Sequence, residues 1–414
     1  MRVSTHFVVF TALALASTAS TSFAPFGSRN SPAGAVYIMT NDPSGNKVLS
    51  VSIASDGTVG TTVTASSTEG RGLHAKIDGA DALLSQGSVA VNSKARLLAA
   101  VNAGSNTVSL FSINPEDPTR LTLLGRPIPS GGDFPQSVAF NSKGTDVCVL
   151  NGGKVNGVNC FVTHPIFGLF PKANNIRLLN RNQTTPPTGP AGSLGSIIFT
   201  PDDSKVIAAV KGIPPIPGFI ATWTIGFDGL LSSQYIKSTP AEGGALPFSL
   251  TPIPGTNAIL ATDPALGFEI FNFASNNNRN SQLVAASSTV TTVPGQAAIC
   301  WSTYSPKSGN FYLIDAALDI VTEIHIDKNL KSSLVKQYQL ATGATILDSE
   351  VATVKHDDFL YVLGAKSASI YVLSVTTPGK GKSIQTFSFA SAAEKAGATF
   401  TNINLQGLAT YVKN

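Results

Sequence analysis

Arg71 and His74 stand three residues apart in Glu69-Gly-Arg-Gly-Leu-His-Ala-Lys76 and carry ready acid–base and anion-holding chemistry. A guanidinium grips a carboxylate through two parallel N–H bonds, and an imidazole gains or loses a proton near neutral pH. The pair is the candidate catalytic unit for a small carboxylated substrate; the plain alternative is a solvated histidine on a Gly-rich loop. A second set, Asp133, Gln136, Ser196, Gln296, Asp348, Glu350 and Gln406, stands at the entries to short apolar strands. If those strands surround one channel, these side chains converge at its mouth as ligand-binding groups. Within that set Asp133, Asp348 and Glu350 could supply the paired carboxylates of glycoside hydrolysis. His164, His325 and His356 receive no role. The chain has no Gly-x-Ser-x-Gly elbow, no His-Glu-x-x-His and no spaced Cys/His set, so the expectation is no metal and no cofactor.

The elements that must position these residues repeat. From Gly87 to Pro129, apolar residues alternate in Gly87-Ser-Val-Ala-Val-Asn92 and run continuously in Leu97-Leu-Ala-Ala-Val101. They alternate again in Thr107-Val-Ser-Leu-Phe-Ser-Ile113 and close the unit in Leu121-Thr-Leu-Leu124, with turn-rich links between. Period-2 patterning with no helical period means four short strands, the length of one β-propeller blade. The opening phrase recurs at Pro135–Gly144, Leu194–Asp203, Leu246–Gly255, Gln296–Ser302 and Ser349–Val354, about 48 to 60 residues apart, as blades require. That gives six complete units. The seventh is divided: Ala35–Met39 and Val48–Ile53 lack a first strand, and Asn404–Tyr411 is a first strand with nothing after it. The expected fold is an all-β, seven-bladed propeller over 33–414, its ring closed by the C-terminal strand.

Arg2 followed by Phe7-Val-Val-Phe-Thr-Ala-Leu-Ala-Leu-Ala16 has the length and order of a secretory signal, with cleavage after Ala19 or Ala24, so 1–24 reads as leader. No later stretch is apolar enough for a membrane span. The expected location is extracellular or cell-wall associated. Charged residues are 13% of the chain and net charge is +4 without a basic stripe, which argues against nucleic acid as a partner. Of three cysteines, Cys148 and Cys160 are expected to face each other across a hairpin and form a disulfide pinning the 151–159 loop. Cys300, between Ile299 and Trp301, reads as a small buried hydrophobe. Asn182-Gln-Thr184 is a glycosylation sequon in a polar loop. Pro165-Ile-Phe-Gly-Leu-Phe170 and Ile213-Pro-Pro-Ile-Pro-Gly218 are apolar segments that either pack on a neighbouring blade or form a partner patch. The chain is expected to be a monomer.

The blade phrase, carried by Phe199-Thr-Pro-Asp-Asp-Ser-Lys-Val206, Val108-Ser-Leu-Phe-Ser-Ile113 and Thr222-Trp-Thr-Ile-Gly-Phe-Asp-Gly229, resembles that of the lactonase-type seven-bladed propellers. It is most similar to the secreted, fungal 3-carboxymuconate cyclase-like branch. The resemblance covers nearly the whole mature chain and implies the fold. Enzymes of that group enter inner strands with Pro-His or Pro-Arg-His, whereas this chain has Phe134-Pro-Gln-Ser137, Leu246-Pro-Phe-Ser249 and Leu194-Gly-Ser196. The lactonising or lactone-hydrolysing activity is therefore implied less strongly than the fold.

Two functional readings follow. In the first, a secreted cyclase- or lactonase-like enzyme uses Arg71 to hold a carboxylate and His74 to move a proton, with Gln136 and Asp348 orienting the ligand. In the second, the propeller is a non-catalytic binding, surface-antigen or wall-associated protein. A basic, conical channel mouth with His74 turned inward favours the enzyme; a neutral or blocked mouth beside an exposed Ile213–Phe219 patch favours binding.

Overall fold

In the computed structural model the repeated phrase folds seven times into an antiparallel sheet with a four-stranded path. The structure describes residues 1–3, 31–273 and 286–413. The proposed leader core at 7–16 and its cleavage sites lie outside the described residues. The chain divides into two units, Met1–Ser31 and Pro32–Asn414, and the propeller is the second.

Blade 2 shows the pattern: inner strand Val89–Asn92, second strand Leu97–Asn102, third strand Thr107–Ile113 and outer strand Leu121–Leu123. The inner strands of blades 3 to 7 are Pro135–Phe140, Leu194–Phe199, Leu250–Ile253, Ile299–Ser305 and Ile346–Val354. In blade 1, Gln406–Val412 is the inner strand and pairs antiparallel with Gly34–Met39, from Gly34 opposite Val412 to Met39 opposite Gln406. The two half-units therefore complete one sheet, and each inner strand touches the next around the whole ring. Closure removes the unpaired edge that an open array of blades would leave.

Second strands such as Leu97–Asn102 and Asn310–Asp315 are buried at every residue because each is flanked by a blade on both faces. This explains why they read as nearly continuous apolar runs. The apolar core lies between blades rather than at one centre. One cluster joins blades 7, 6 and 1 around Trp301, Tyr361 and Val36; another joins blades 1, 2 and 3 around Tyr37, Phe111 and Phe161. Burying an aromatic or branched side chain of this kind contributes about 1.5–3 kcal/mol.

Cys148 and Cys160 are direct register partners in blade 3 and form the disulfide. The loop it was expected to pin is shorter than its sequence suggested. The third strand of that blade starts at Gly157, so Cys160 sits within the sheet and the bond ties two paired strands together. Cys300 is buried, as expected of a small hydrophobe.

Candidate functional site

The link from blade 1 to blade 2 runs from Thr68 to Ser88 and leaves the rim to enter the ring. Ala82, Leu83, Leu84 and Ser85 have at most 1% of their surface exposed. Leu83 donates its N–H to Gln406 Oε1 at 3.3 Å. The Ser85 carbonyl accepts from Gln406 Nε2 at 2.9 Å and from Trp301 Nε1 at 3.2 Å. Ser85 Oγ donates to the Gln136 carbonyl at 2.6 Å. Lys211 Nζ donates to the Leu84 carbonyl at 2.6 Å and to the Leu194 carbonyl at 2.5 Å. The Gln86 side chain forms a two-point bond with the backbone of Ser302, at 3.0 and 3.1 Å. These partners belong to blades 1, 3, 4 and 6. A segment bonded to inner strands on opposite sides of a ring must cross the ring, so the channel mouth is filled by this chain's own backbone.

His74 belongs to the same link. Its Nδ1 lies 2.7 Å from the Ala75 carbonyl and its Nε2 lies 2.9 Å from the Gly79 carbonyl. Both ring nitrogens face carbonyl oxygens of the histidine's own loop. Arg71 is exposed, and its backbone bonds to the Asn102–Ser105 turn of blade 2 through Ser105 Oγ and Gly104 N–H.

Among the proposed ligand groups, Gln136, Asp348, Glu350 and Gln406 surround the channel, and each has a structural partner. Gln136 Nε2 donates to the Leu194 carbonyl at 2.8 Å, while its buried Oε1 has no partner. Asp348 Oδ2 accepts from Gln406 Nε2 at 3.0 Å and from Gly407 N–H at 2.9 Å. Glu350 Oε2 accepts from Thr410 N–H at 2.7 Å. An innermost strand has one edge with no strand beside it, so its N–H groups need other acceptors. Asp348 and Glu350, two residues apart on one face of the last inner strand, supply them to the ring-closing strand of blade 1. The ends of the propeller are thus joined twice: by the strand pairing in blade 1 and by two carboxyl groups across the seam.

Burial, opposed by these hydrogen bonds, raises the pKa of Asp348 to about 7 and that of Glu350 to about 7. Asp81, at the start of the buried segment, has an Oδ1 that is buried and unpartnered, although part of the residue reaches solvent. Burial raises its carboxyl above the usual range, with the Lys211 charge opposing. Burial pulls Lys211 down from its ordinary value, with the Asp81 charge opposing. Lys211 is fully buried with its ammonium 4.1 Å from the centre of the Phe248 ring. Among the described residues no carboxylate lies within ion-pair distance of it.

The other three candidates are Asp133, Gln296 and Ser196, the last on the inner strand of blade 4. Asp133 accepts from Asn106, Val155 and Thr185 and fastens the links around blade 3. Gln296 caps its own loop through Ile299 N–H at 3.2 Å, and Ser196 is buried in blade 4. Asn182 is exposed. Ile213 and Ile216 are 55% and 69% exposed on the turn after the second strand of blade 4, and Ile166 and Phe167 are 67% and 62% exposed on blade 3. Among the described residues no group of three or more His, Cys, Asp or Glu side chains converges to hold a metal ion, and no helix is long and apolar enough to cross a membrane.

Solved structures share this architecture. A putative 6-phosphogluconolactonase from Bacteroides fragilis is 16% identical, with a TM-score of 0.60 over 91% of this chain and 98% of that one. The likeness is one of fold. A putative 6-phosphogluconolactonase from Bacteroides uniformis matches at 16% identity, TM-score 0.61, over 86% of this chain and 97% of that one. The periplasmic gluconolactonase of Pseudomonas aeruginosa matches at 15% identity, TM-score 0.59, over 86% and 97%. No family model and no curated protein matches the chain. The comparison thus supports a seven-bladed propeller like that of gluconolactonase-type proteins, and nothing in it singles out the fungal cyclase branch.

Proposed function

We propose that this chain is a secreted, non-catalytic propeller that binds an extracellular protein or wall-associated partner. The observation that carries the reading is the filled mouth: Ala82–Ser85 occupies the place where a small lactone or carboxylate would have to enter. Both ring nitrogens of the proposed catalytic histidine face carbonyls of its own loop, which leaves it poorly placed to take a substrate proton. Asp348 and Glu350 accept backbone N–H groups across the ring seam, a task that accounts for carboxyls at these positions without a substrate. Exposed Ile213 and Ile216 near the top rim provide apolar area of the kind found in partner sites. The test is a turnover and binding screen of the secreted protein against carboxymuconates and small lactones, with His74→Ala alongside. The reading expects no turnover from either protein. Turnover by the natural chain that disappears in the variant would replace it with the enzyme reading.

That enzyme reading, a cyclase- or lactonase-like propeller, keeps one specific support. Asp348 and Glu350 titrate near neutral pH beneath the filled mouth, a range suited to proton transfer. It requires the covering segment to leave during turnover.

A further inference from the structure

The groups that hold the covering segment recognise main chain. Four consecutive carbonyls, from Leu84 to Gly87, accept from blades 1, 3, 4 and 6: Lys211 Nζ takes Leu84, and Trp301 Nε1 with Gln406 Nε2 takes Ser85. Ser137 Oγ takes Gln86 at 2.6 Å, and Val138 N–H takes Gly87 at 2.8 Å. Gln406 reads two residues at once, accepting from Leu83 N–H while donating to the Ser85 carbonyl. Side-chain identity enters through Leu83 and Leu84, packed in the core shared by blades 1, 2 and 3, and through Ser85 Oγ. Asp81 and Leu84 both have left-handed backbones, with φ of 76° and 56°. A non-glycine residue adopts this conformation where its surroundings impose it. The cavity therefore dictates the shape of its occupant, as a binding site does.

We infer that the upper channel is a peptide-binding site held in cis by Asp81–Gln86, and that its partner in trans is a polypeptide segment of the same chemistry: two adjacent leucine-like residues followed by a small hydroxyl residue. A fixed array of donors aimed at peptide carbonyls, with pockets for two side chains, combines main-chain affinity with side-chain selectivity, as strand-adding sites do. This inference rests on the binding reading above and gives that reading its partner class.

The test uses the full chain carrying Leu83→Ala and Leu84→Ala, which weakens the cis occupant and leaves the donors in place. The probe is the capped peptide Asp-Ala-Leu-Leu-Ser-Gln-Gly, with a scrambled peptide as control. Trp301 reports occupancy by its fluorescence, because its Nε1 is bonded to the segment. The expected result is a saturable emission change with the probe and none with the scramble, weakened about tenfold or more when Gln406→Ala is added. A folded double variant that gives no saturable change, or responds equally to the scramble, overturns the inference. Should the double variant fail to fold, the same peptide added during refolding must restore the native circular dichroism spectrum, and failure to restore it overturns the inference equally. Lactone turnover by the natural chain would remove the binding reading independently of this titration. A failed titration without turnover removes only the peptide.

Discussion

Replacing Asp348 with asparagine isolates the energetic consequence of burying a carboxyl at the ring seam. Its pKa rises from the usual 3.8 to about 7, first because of burial and against the pull of the Gly407 N–H. Because the folded value is the higher one, the folded state holds a proton that the unfolded state has lost between about pH 4 and pH 7. This contribution is fully present below pH 4, falls as pH rises through the window and levels off above pH 7. A rise from 3.8 to about 7 corresponds to about 4 kcal/mol at most. Asparagine carries no charge at any of these pH values, and it keeps one oxygen to accept from Gly407. Whatever constant offset the amide introduces, Asp348→Asn should lose this part of the pH dependence. The assay is urea unfolding of both proteins at intervals from pH 4 to pH 8, comparing the two curves of stability against pH. The stability of the natural protein relative to the variant should fall by several kcal/mol, about 4 at most, as pH rises across the window. Parallel curves would refute the burial argument and show that Asp348 is ionised and well solvated in the folded protein.

Gln406→Leu preserves volume and removes the bonds to Leu83, Ser85 and Asp348, so urea unfolding should show a loss of about 2–4 kcal/mol. Gly407→Ala meets a backbone φ of 80° and places a methyl carbon 2.3 Å from Ser88 Oγ, and should lower the unfolding midpoint by the equivalent of about 1–3 kcal/mol. Replacing Cys148 and Cys160 together by alanine opens a loop with a sequence separation of 12 and should cost about 3 kcal/mol in chain entropy; an unchanged midpoint would mean that the bond constrains nothing the sheet does not already fix.

The blades were legible because each strand writes its environment locally. Leu97-Leu-Ala-Ala-Val101 is apolar throughout because it is covered on both faces, and the half-units at 35–53 and 404–411 are complementary in sequence alone. The disulfide was legible from the spacing of two strands, although its position within the ladder was not, since strand starts are fixed by pairing register. The covering segment was missed for a physical reason. Asp81-Ala-Leu-Leu-Ser-Gln86 has no period, and its stability comes from Gln136, Lys211, Trp301 and Gln406, which are remote in sequence. Arg71 and His74, by contrast, show their chemistry by residue type alone. Asp348, Glu350 and Gln406 were placed near the channel by their position at strand entries. What sequence could not disclose was that the nearest groups needing an acceptor are backbone N–H groups of the closing strand. The same side chains that suggest a ligand from composition are drawn to that task by the free edge of an innermost strand.

Amide hydrogen exchange on the intact protein shows whether Ala82–Ser85 closes the mouth. Leu83 donates its N–H to a fully buried glutamine, so its amide should be protected to an extent comparable with those of the inner strands. Exchange of Leu83 as fast as an exposed loop, while the inner strands remain protected, would mean that the channel stands open in solution and would contradict the account.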